Sequence, residues 1–303
     1  MLRYFVFLAS KKAFPGWVLA ALLLTGCAPF FSQPAAFNPI LLPQPTFTSN
    51  PTLTPLPAFT PTPTTPPLGC FETQGKIERR QFDSSLIGKP VAVRVYLPPC
   101  YSGSSEKRYP VLILLHGQSF NEDQWERLGA AETADRLIVS GQVVPFIIAM
   151  PREEYYLLDN TESKFGQALA DELVPWLDRE YTTCTLRACR ALGGISRGAA
   201  WAVRVGFIRW ELFGTIGTHS LPPFRGDPNN LPRWLEKIPP DQRPRLWLDT
   251  GKRDDYLPAT QQFLDLLEKY DLTHEWHLNP GAHNEEYWSA HVDEYLRWYA
   301  ADW

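Results

Sequence analysis

Residues 190–198 read Arg-Ala-Leu-Gly-Gly-Ile-Ser-Arg-Gly, and this short stretch decides the fold. Gly194, Ser196 and Gly198 form a G-x-S-x-G pattern, in which a strand turns sharply into a helix and exposes a serine at the turn. Side chains at the two glycine positions would collide as the strand and the helix close on each other. The residues before the pattern are strand-like and residues 199–205 are helical in character. The context therefore favours a strand–serine–helix turn over a chance match.

Strand-like and helical segments alternate through the rest of the chain. The predicted strands are 75–82, 91–97, 110–116, 143–150, 190–195, 213–217, 245–250 and 273–278. The predicted helices are 121–140, 162–181 with a bend at Pro175, the segment after Ser196, 258–270 and 285–303, while 220–244 is expected to be an irregular excursion. This alternation predicts an α/β fold with a mostly parallel central sheet and helices on both faces. Ligands bind such sheets at the carboxyl ends of the strands.

The first residues have the character of an export signal. Arg3, Lys11 and Lys12 precede a short apolar run over 17–24, as in a secretory signal peptide. Leu24-Thr-Gly-Cys27 resembles the lipobox of bacterial lipoproteins, which implies a signal peptide over 1–26 and lipidation of Cys27. An uncleaved transmembrane helix is the alternative, but the apolar run is short for crossing a bilayer.

Residues 28–68 contain 12 prolines, 8 threonines and no charged residue. Proline fixes φ and removes backbone donors, so this composition predicts a semi-stiff spacer and not a packed core. We predict a lipidated cysteine and tether over 27–69 and one domain over 70–303, anchored to a membrane at the bacterial cell envelope, outside the cytoplasm. That domain carries a formal net charge of −7, because 26 of the 29 basic and all 33 acidic residues lie in it. An acidic domain argues against a nucleic-acid partner.

Four cysteines lie in the predicted domain: Cys70, Cys100, Cys184 and Cys189. An exported compartment permits disulfides. Antiparallel pairing of the first two predicted strands would bring Cys70 near Cys100, while Cys184 and Cys189 flank a short loop. We therefore predict disulfides 70–100 and 184–189. Metal binding is the alternative, but no histidine cluster accompanies these cysteines at ligand spacing.

Ser196 has candidate partners in the order that the strand–serine–helix turn requires. A serine hydroxyl needs a base to take its proton, and the base needs a carboxylate to orient it. Asp254 and His283 follow Ser196 along the chain, each just beyond a predicted strand. Asp255 is a rival for the acid because it lies in the same loop, and one of the two aspartates is expected to cap the next helix.

An oxyanion formed at Ser196 would need backbone donors. One is expected to be the amide of Arg197, directly after the serine, and the other the amide of Gln118, in the loop after the third strand. His116 in that loop is expected to shape the loop and not to carry protons. His219 lies after the next strand and is open to two interpretations, facing the pocket or being satisfied within its loop.

The remaining histidines are weaker candidates. His274 and His277 lie within a predicted strand, where packing or solvent exposure is the expected role. His291 lies on the final helix and is expected at the surface.

Five blocks in order carry a family resemblance: residues 95–101, 108–117, 194–198, 251–254 and 281–283. Together they resemble the "Putative esterase" family, which includes feruloyl esterases, enterochelin esterases, S-formylglutathione hydrolase and mycolyltransferases. The resemblance covers about residues 75–300. It implies an α/β-hydrolase fold and places the nucleophile, acid and base at Ser196, Asp254 and His283.

Two residues depart from the family pattern: Arg197 stands where many members have Met or Leu, and Ala199 where many have Gly. Both changes are compatible with the turn. The Arg197 side chain is expected either to favour an acidic group of the substrate or to point to solvent.

The leading hypothesis is a serine carboxylesterase, with a small-molecule or glycan-linked ester as substrate. An acyltransferase using the same three residues is the runner-up, and a non-catalytic binding module on the same scaffold is a third reading. The mechanism requires no metal and no organic cofactor. The sequence does not indicate an oligomeric state.

Overall fold

A single mixed sheet organises the protein. The computed structural model describes residues 70–103 and 106–303. The strands are β1 (Lys76–Ser84), β2 (Lys89–Leu97), β3 (Val111–Leu115), β4 (Ile147–Pro151), β5 (Arg190–Ile195), β6 (Thr215–His219), β7 (Arg245–Gly251) and β8 (Glu275–Asn279). Their order is β1-β2-β4-β3-β5-β6-β7-β8. β2 runs antiparallel to both β1 and β4, and all the other neighbours are parallel. The predicted mostly parallel sheet is confirmed.

Helices cover both faces of this sheet. They are α1 (Gln124–Arg127), α2 (Ala130–Val139), α3 (Phe165–Ala168), α4 (Val174–Glu180), α5 (Arg197–Ile208), α6 (Asp227–Leu235), α7 (Leu257–Lys269) and α8 (Glu285–Ala300). Leu112 and Leu114 of β3 pack with α1, α2 and α8. Val111, Ile113 and Leu115 point the other way and pack with α3 to α7. Because side chains alternate across a strand, this apolar run serves two cores at once.

Three helical predictions needed correction. The helix predicted over 121–140 is interrupted at Gly129, whose φ of 88° is a left-handed conformation that favours glycine. The helix predicted over 162–181 contains a π-helical turn, Leu169–Leu173, just before Pro175, which lies in the first turn of α4. The excursion predicted over 220–244 contains the helix α6, whose Leu231, Trp234 and Leu235 are buried.

Both predicted disulfides are present, Cys70–Cys100 and Cys184–Cys189. Each lies at the edge of the sheet where the parallel strands begin: Cys100 follows the end of the antiparallel β2, and Cys189 directly precedes β5. The predicted signal peptide, Cys27 and the tether lie outside the described residues. In the part of the chain that the structure describes, no helix is long and apolar enough to cross a membrane.

Candidate active site

Ser196 sits at a turn that only glycine neighbours permit. Its φ of 54° and ψ of −120° are strained for a residue with a side chain, and it connects β5 to α5. A Cβ atom on Gly194 would lie 2.4 Å from the carbonyl carbon of Gly198. A Cβ atom on Gly198 would lie 2.4 Å from the carbonyl oxygen of Leu115 in β3. The two glycines of the sequence pattern are therefore required by direct contact with the backbone.

The structure brings Ser196, His283 and Asp254 into one hydrogen-bonded chain. The Ser196 hydroxyl donates to Nε2 of His283 across 2.9 Å. Nδ1 of the same ring donates to both carboxylate oxygens of Asp254, at 3.1 and 3.0 Å. The three residues follow β5, β8 and β7 respectively, so they meet at the carboxyl edge of the sheet. A serine hydroxyl, an imidazole and a carboxylate in this order can pass a proton from the hydroxyl to the ring.

The carboxylate of Asp254 is held ionised in a largely buried position. The side chain is fully shielded from solvent, whereas the neighbouring Asp255 is exposed. Burial by itself raises the pKa of Asp254, but hydrogen bonds from His283, Ser220 and the Tyr256 amide outweigh it, and the pKa is lowered overall. The expectation that an aspartate caps the next helix was wrong, because the N-cap of α7 is Tyr256 and has no side-chain cap hydrogen bond. Oδ1 of Asp254 instead accepts from the Tyr256 amide at 2.8 Å, just ahead of the helix.

Ser220 is a residue of this site that the sequence did not reveal. It follows β6 with a φ of 57°, and its hydroxyl accepts a hydrogen bond from the Trp288 indole at 2.9 Å. The same hydroxyl hydrogen-bonds to Asp254. The indole ring of Trp288 also meets the His283 ring edge-on, with centroids 5.0 Å apart. Trp288 therefore supports both partners of Ser196, yet a tryptophan in a helix gives no sequence signal of this role.

The two residues whose backbone amides are predicted to bind an oxyanion are both in the wall of the pocket at Ser196. Arg197 is the first residue of α5, and the first N–H groups of a helix have no intrahelical acceptor. Gln118 lies in the loop after β3, and its amide donates no hydrogen bond to another described residue. Both residues line the same pocket as Ser196. Two unused N–H groups at one pocket wall can stabilise a developing negative charge.

The Arg197 side chain corrects an expectation, because it neither points to solvent nor stands free for an acidic substrate. Its guanidinium is paired with the carboxylate of Glu153 through two contacts, at 2.8 and 2.7 Å. Another of its N–H groups donates to the carbonyl oxygen of Leu158 at 3.0 Å. The positive charge next to the serine is thus compensated within the protein.

His116 shapes the loop that carries Gln118, as predicted. Its Nε2 accepts from the backbone amide of Glu153 at 2.8 Å, and its Nδ1 donates to the carbonyl oxygen of Gly117 at 2.8 Å. This pattern requires the neutral ring. Burial lowers the pKa of His116 and so favours the same neutral form, although the Gly117 carbonyl and nearby carboxylates oppose the shift.

The other histidines do not reach the pocket. His219 is wholly buried, and its two ring nitrogens bond to Asp249 and to the Tyr299 hydroxyl. Of its two predicted roles, a histidine with satisfied hydrogen bonds is therefore confirmed over one that faces the pocket. His277 stacks on Trp247 with ring centroids 3.8 Å apart. His274 was expected within a strand but lies just before β8, where it bonds to the Leu272 carbonyl oxygen. His291 was expected at the surface but is half-buried, and it bonds to the Tyr287 carbonyl oxygen.

A pocket of about 730 Å³ opens at Ser196 and His283. Aromatic side chains contribute much of its wall: Phe120, Phe224, Tyr256 and Trp288. Asn284 and Glu285 add polar groups, and Glu285 is paired with Arg127 at 2.8 Å. An apolar site with a few polar groups suits an organic ligand with an aromatic or aliphatic part.

One group of side chains among the described residues has the composition of a metal site. Cys70, Glu72 and Cys100 bring three potential ligand atoms within 4.8 Å of one another. The two sulfurs are joined in a disulfide and so are not thiolate ligands.

Comparison with known proteins gives a consistent picture. The family model described as "Putative esterase" matches residues 84–299. A curated relative, an endo-1,4-beta-xylanase/feruloyl esterase of Xylanibacter ruminicola, is 34% identical over 160 residues, which are 48% of this chain and 22% of that protein. An esterase of Mycobacterium tuberculosis is 23% identical over 256 residues, covering 67% of this chain and 54% of the relative. The chain thus spans between about a fifth and three fifths of the curated relatives that it matches.

Solved structures resemble this chain over most of its described length. A ferulic acid esterase from Anaeromyces mucronatus, in complex with ferulic acid, superposes with a TM-score of 0.61 at 22% identity and covers 77% of this chain and 93% of its own. The S-formylglutathione hydrolase from Staphylococcus aureus gives a TM-score of 0.60 at 17% identity, covering 75% and 99%. At these identities the likeness concerns the fold alone, and it confirms the predicted α/β-hydrolase fold.

Proposed function

This chain belongs to the "Putative esterase" family, and from that premise we propose that it is a serine carboxylesterase. The hydrogen-bonded chain from Ser196 through His283 to Asp254 is the observation that carries the proposal. A family match alone leaves the reaction open, since one scaffold hosts several chemistries. The arrangement of these three side chains at the mouth of a pocket supports nucleophilic catalysis in particular.

The proposed reaction proceeds in two steps. The Ser196 hydroxyl attacks the acyl carbon of the ester as Nε2 of His283 takes its proton, and the ring then gives that proton to the departing alcohol. A water molecule next attacks the acyl-enzyme, with His283 again removing a proton, and the acid is released. Asp254 holds the ring in the tautomer that leaves Nε2 free to accept, and it stabilises the imidazolium that forms.

The negative charge that develops on the acyl oxygen is assigned to the amides of Gln118 and Arg197. Fixed backbone donors need no reorientation as the charge appears, which is why such donors contribute strongly to acyl transfer.

For the substrate we propose an ester with an aromatic acyl group. The four aromatic side chains of the pocket wall give a planar ring several edges and faces to pack against. Relatives named feruloyl esterase and the neighbour solved with ferulic acid support the same class. We further propose that the domain works outside the cytoplasm, lipid-anchored at Cys27. The two disulfides support an oxidising compartment.

The decisive experiment compares the purified protein with Ser196→Ala on p-nitrophenyl acetate and methyl ferulate. We expect turnover by the wild type, with preference for the aromatic ester, and a loss of about 10⁴-fold or more in Ser196→Ala. Equal inertness of both proteins would sink the enzyme proposal and leave a binding module. Adding a competing alcohol separates water from alcohol as acceptor: a transferred ester as the main product would indicate an acyltransferase.

Anchoring has its own test. We expect metabolic labelling with a radioactive fatty acid to mark the full chain, and Cys27→Ser to abolish the label. An unlabelled wild-type protein would remove the anchor from the proposal without touching the esterase.

A further inference from the structure

Glu153 is a buried carboxylate next to the candidate active site that the mechanism above does not use. It directly follows Arg152 after the end of β4, at the same edge of the sheet as Ser196, and only 3% of its surface is exposed. Its Oε2 accepts from Nε of Arg197 at 2.8 Å and its Oε1 accepts from Nη2 at 2.7 Å. A two-pronged pair of this kind fixes the direction of both groups as well as their distance.

The backbone of the same residue makes a second connection. The Glu153 amide donates to Nε2 of His116 at 2.8 Å, and that ring holds the carbonyl of Gly117 through Nδ1. Gln118 is the next residue along this loop. The main chain of Glu153 therefore bonds to the loop that carries Gln118, one candidate oxyanion donor. Its side chain bonds to Arg197, the residue of the other donor.

We propose that Glu153 is a positioning residue that sets the separation and direction of the Gln118 and Arg197 amides. This inference rests on the proposed function. An oxyanion must lie about 2.7–3.1 Å from both donors at once, so the two loops have to be fixed relative to each other. A displacement of about 1 Å at a reacting centre can cost on the order of 10²-fold in rate. Glu153 connects these two segments directly, because it bonds to both of them.

The surroundings of Arg197 make the pair rigid. The guanidinium lies 5.9 Å from the Trp201 ring centroid and 5.3 Å from that of Phe224, a residue of the pocket wall. Its side chain is 12% exposed, so water offers little replacement if Glu153 is lost. Arg197 is the first residue of α5 and directly follows Ser196. A shift of its side chain would therefore also move its own backbone amide, the candidate oxyanion donor.

The alternative hypothesis is that Glu153 has a purely structural role and only neutralises the charge of a buried arginine. The chain offers a matched control for that reading. Arg190 begins β5, the strand that ends at Ser196; it is 3% exposed and is paired with Asp178 through contacts of 3.0 Å to both oxygens. Asp178→Asn thus leaves a buried arginine unpaired at the far end of the same strand, away from the pocket.

The test compares Glu153→Gln and Asp178→Asn in the full-length protein. All backbone amides remain in both variants, so a change in rate reports where the donors lie and not whether they exist. We expect both variants to lower Tm, and Glu153→Gln alone to lower kcat by about 10- to 100-fold with KM changed by less than about threefold. Asp178→Asn is expected to keep kcat within about twofold of the wild type.

A second readout addresses the oxyanion directly. An aryl trifluoromethyl ketone adds to the serine to form a tetrahedral oxyanion, and its affinity should fall in Glu153→Gln in parallel with kcat/KM. Arg197→Lys keeps the charge but loses the fork, so it provides a milder variant if Glu153→Gln folds poorly, and we expect an intermediate loss of kcat.

Two results would overturn the inference. One is wild-type kcat and inhibitor affinity in Glu153→Gln or in Arg197→Lys. The other is an equal loss of kcat in Asp178→Asn, which would assign the effect to general destabilisation. Both are distinct from failure of the proposed function, which shows as a wild type no more active than Ser196→Ala.

Discussion

His219 donates from Nδ1 to Oδ1 of Asp249 across 2.6 Å and so forms a second histidine–carboxylate pair, besides that of His283 and Asp254. Both side chains are completely buried. Asp249 also accepts from the Trp247 indole and from the hydroxyls of Tyr287 and Tyr295. Burial by itself raises the pKa of Asp249, but the charge of His219 and these hydrogen bonds prevail and lower it. The pair holds the core together and has no access to substrate.

Removing the Asp249 charge should therefore lower the stability of the folded protein far more than it lowers kcat. We expect Asp249→Asn to lower the free energy of unfolding by about 3–5 kcal/mol, because it breaks a buried pair and leaves its donors poorly matched. At about 2–4 °C for each kcal/mol, Tm should fall by roughly 6–20 °C. Thermal unfolding followed by circular dichroism measures this, and an unchanged Tm would contradict it.

Tyr287 and Tyr295 allow the structural and catalytic effects of this network to be separated. Their hydroxyls donate to the same oxygen of Asp249, at 2.6 and 2.7 Å, so each Phe variant loses an equivalent bond. The Tyr287 ring alone lies under the His283 loop: a Cβ on Gly281 would be 2.3 Å from it. We expect similar losses of Tm, and a kcat lowered about three- to tenfold in Tyr287→Phe only.

Equal kcat values for Tyr287→Phe and Tyr295→Phe would show that the His283 loop does not depend on the network. The comparison should be made well below the lower of the two Tm values, so that both variants are fully folded. Neither tyrosine is among the residues that line the pocket, so neither variant removes a group that could contact substrate.

The two adjacent aspartates give a sharp test of the acid. Asp254→Asn retains the shape but leaves His283 without an acceptor that fixes its tautomer, and kcat should fall by about 10⁴-fold. Asp255→Asn changes an exposed side chain and should keep kcat within about threefold. Steady-state kinetics on one ester substrate compares them, and a larger loss in Asp255→Asn would reassign the acid.

Stability should fall as the solution becomes acidic, and His116 should account for part of that fall. Its pKa is lowered in the folded protein, so the unfolded chain binds the proton first as the pH drops below about 6.5. The stabilisation is complete above that pH and is lost as the pH falls toward the folded pKa. We expect the Tm of the wild type to drop between pH 7 and pH 5 more steeply than that of His116→Gln.

Asp227 is the control for this measurement because its effect has the opposite sign. Burial raises its pKa to about 7, against the opposing charge of Arg204. Its contribution is therefore greatest in acid and is lost as the pH rises from about 4 to about 7. Asp227→Asn should make the acid loss of Tm steeper, and a parallel profile for all three proteins would refute both assignments.

Much of this site could be predicted from sequence because its residues follow strands. Ser196, Asp254 and His283 each come directly after a run of strand-forming residues, and parallel strands end at one edge of a sheet. The glycines at 194 and 198 carried further information, since their place in the turn is imposed by backbone contacts.

Other features depend on which way a side chain turns after the chain has folded. Glu153 and Glu154 are neighbours of the same type, yet Glu153 turns inward to Arg197 while Glu154 pairs with Lys89 at 2.8 Å. No periodicity in a loop distinguishes them. Phe120 and Phe224 likewise come from irregular segments, so their place in the pocket wall follows from tertiary packing alone. The helix α6 contains Pro232, which made its segment resemble a loop.

The Cys70–Cys100 disulfide fixes where the described chain enters the domain. It ties the chain to the sheet edge where the parallel strands begin, whereas Ser196 lies where they end. A strand of five residues separates those edges by about 17 Å. The chain therefore enters the domain at the edge opposite to Ser196, and the segment from Cys70 to β1 lies away from the residues that line the pocket.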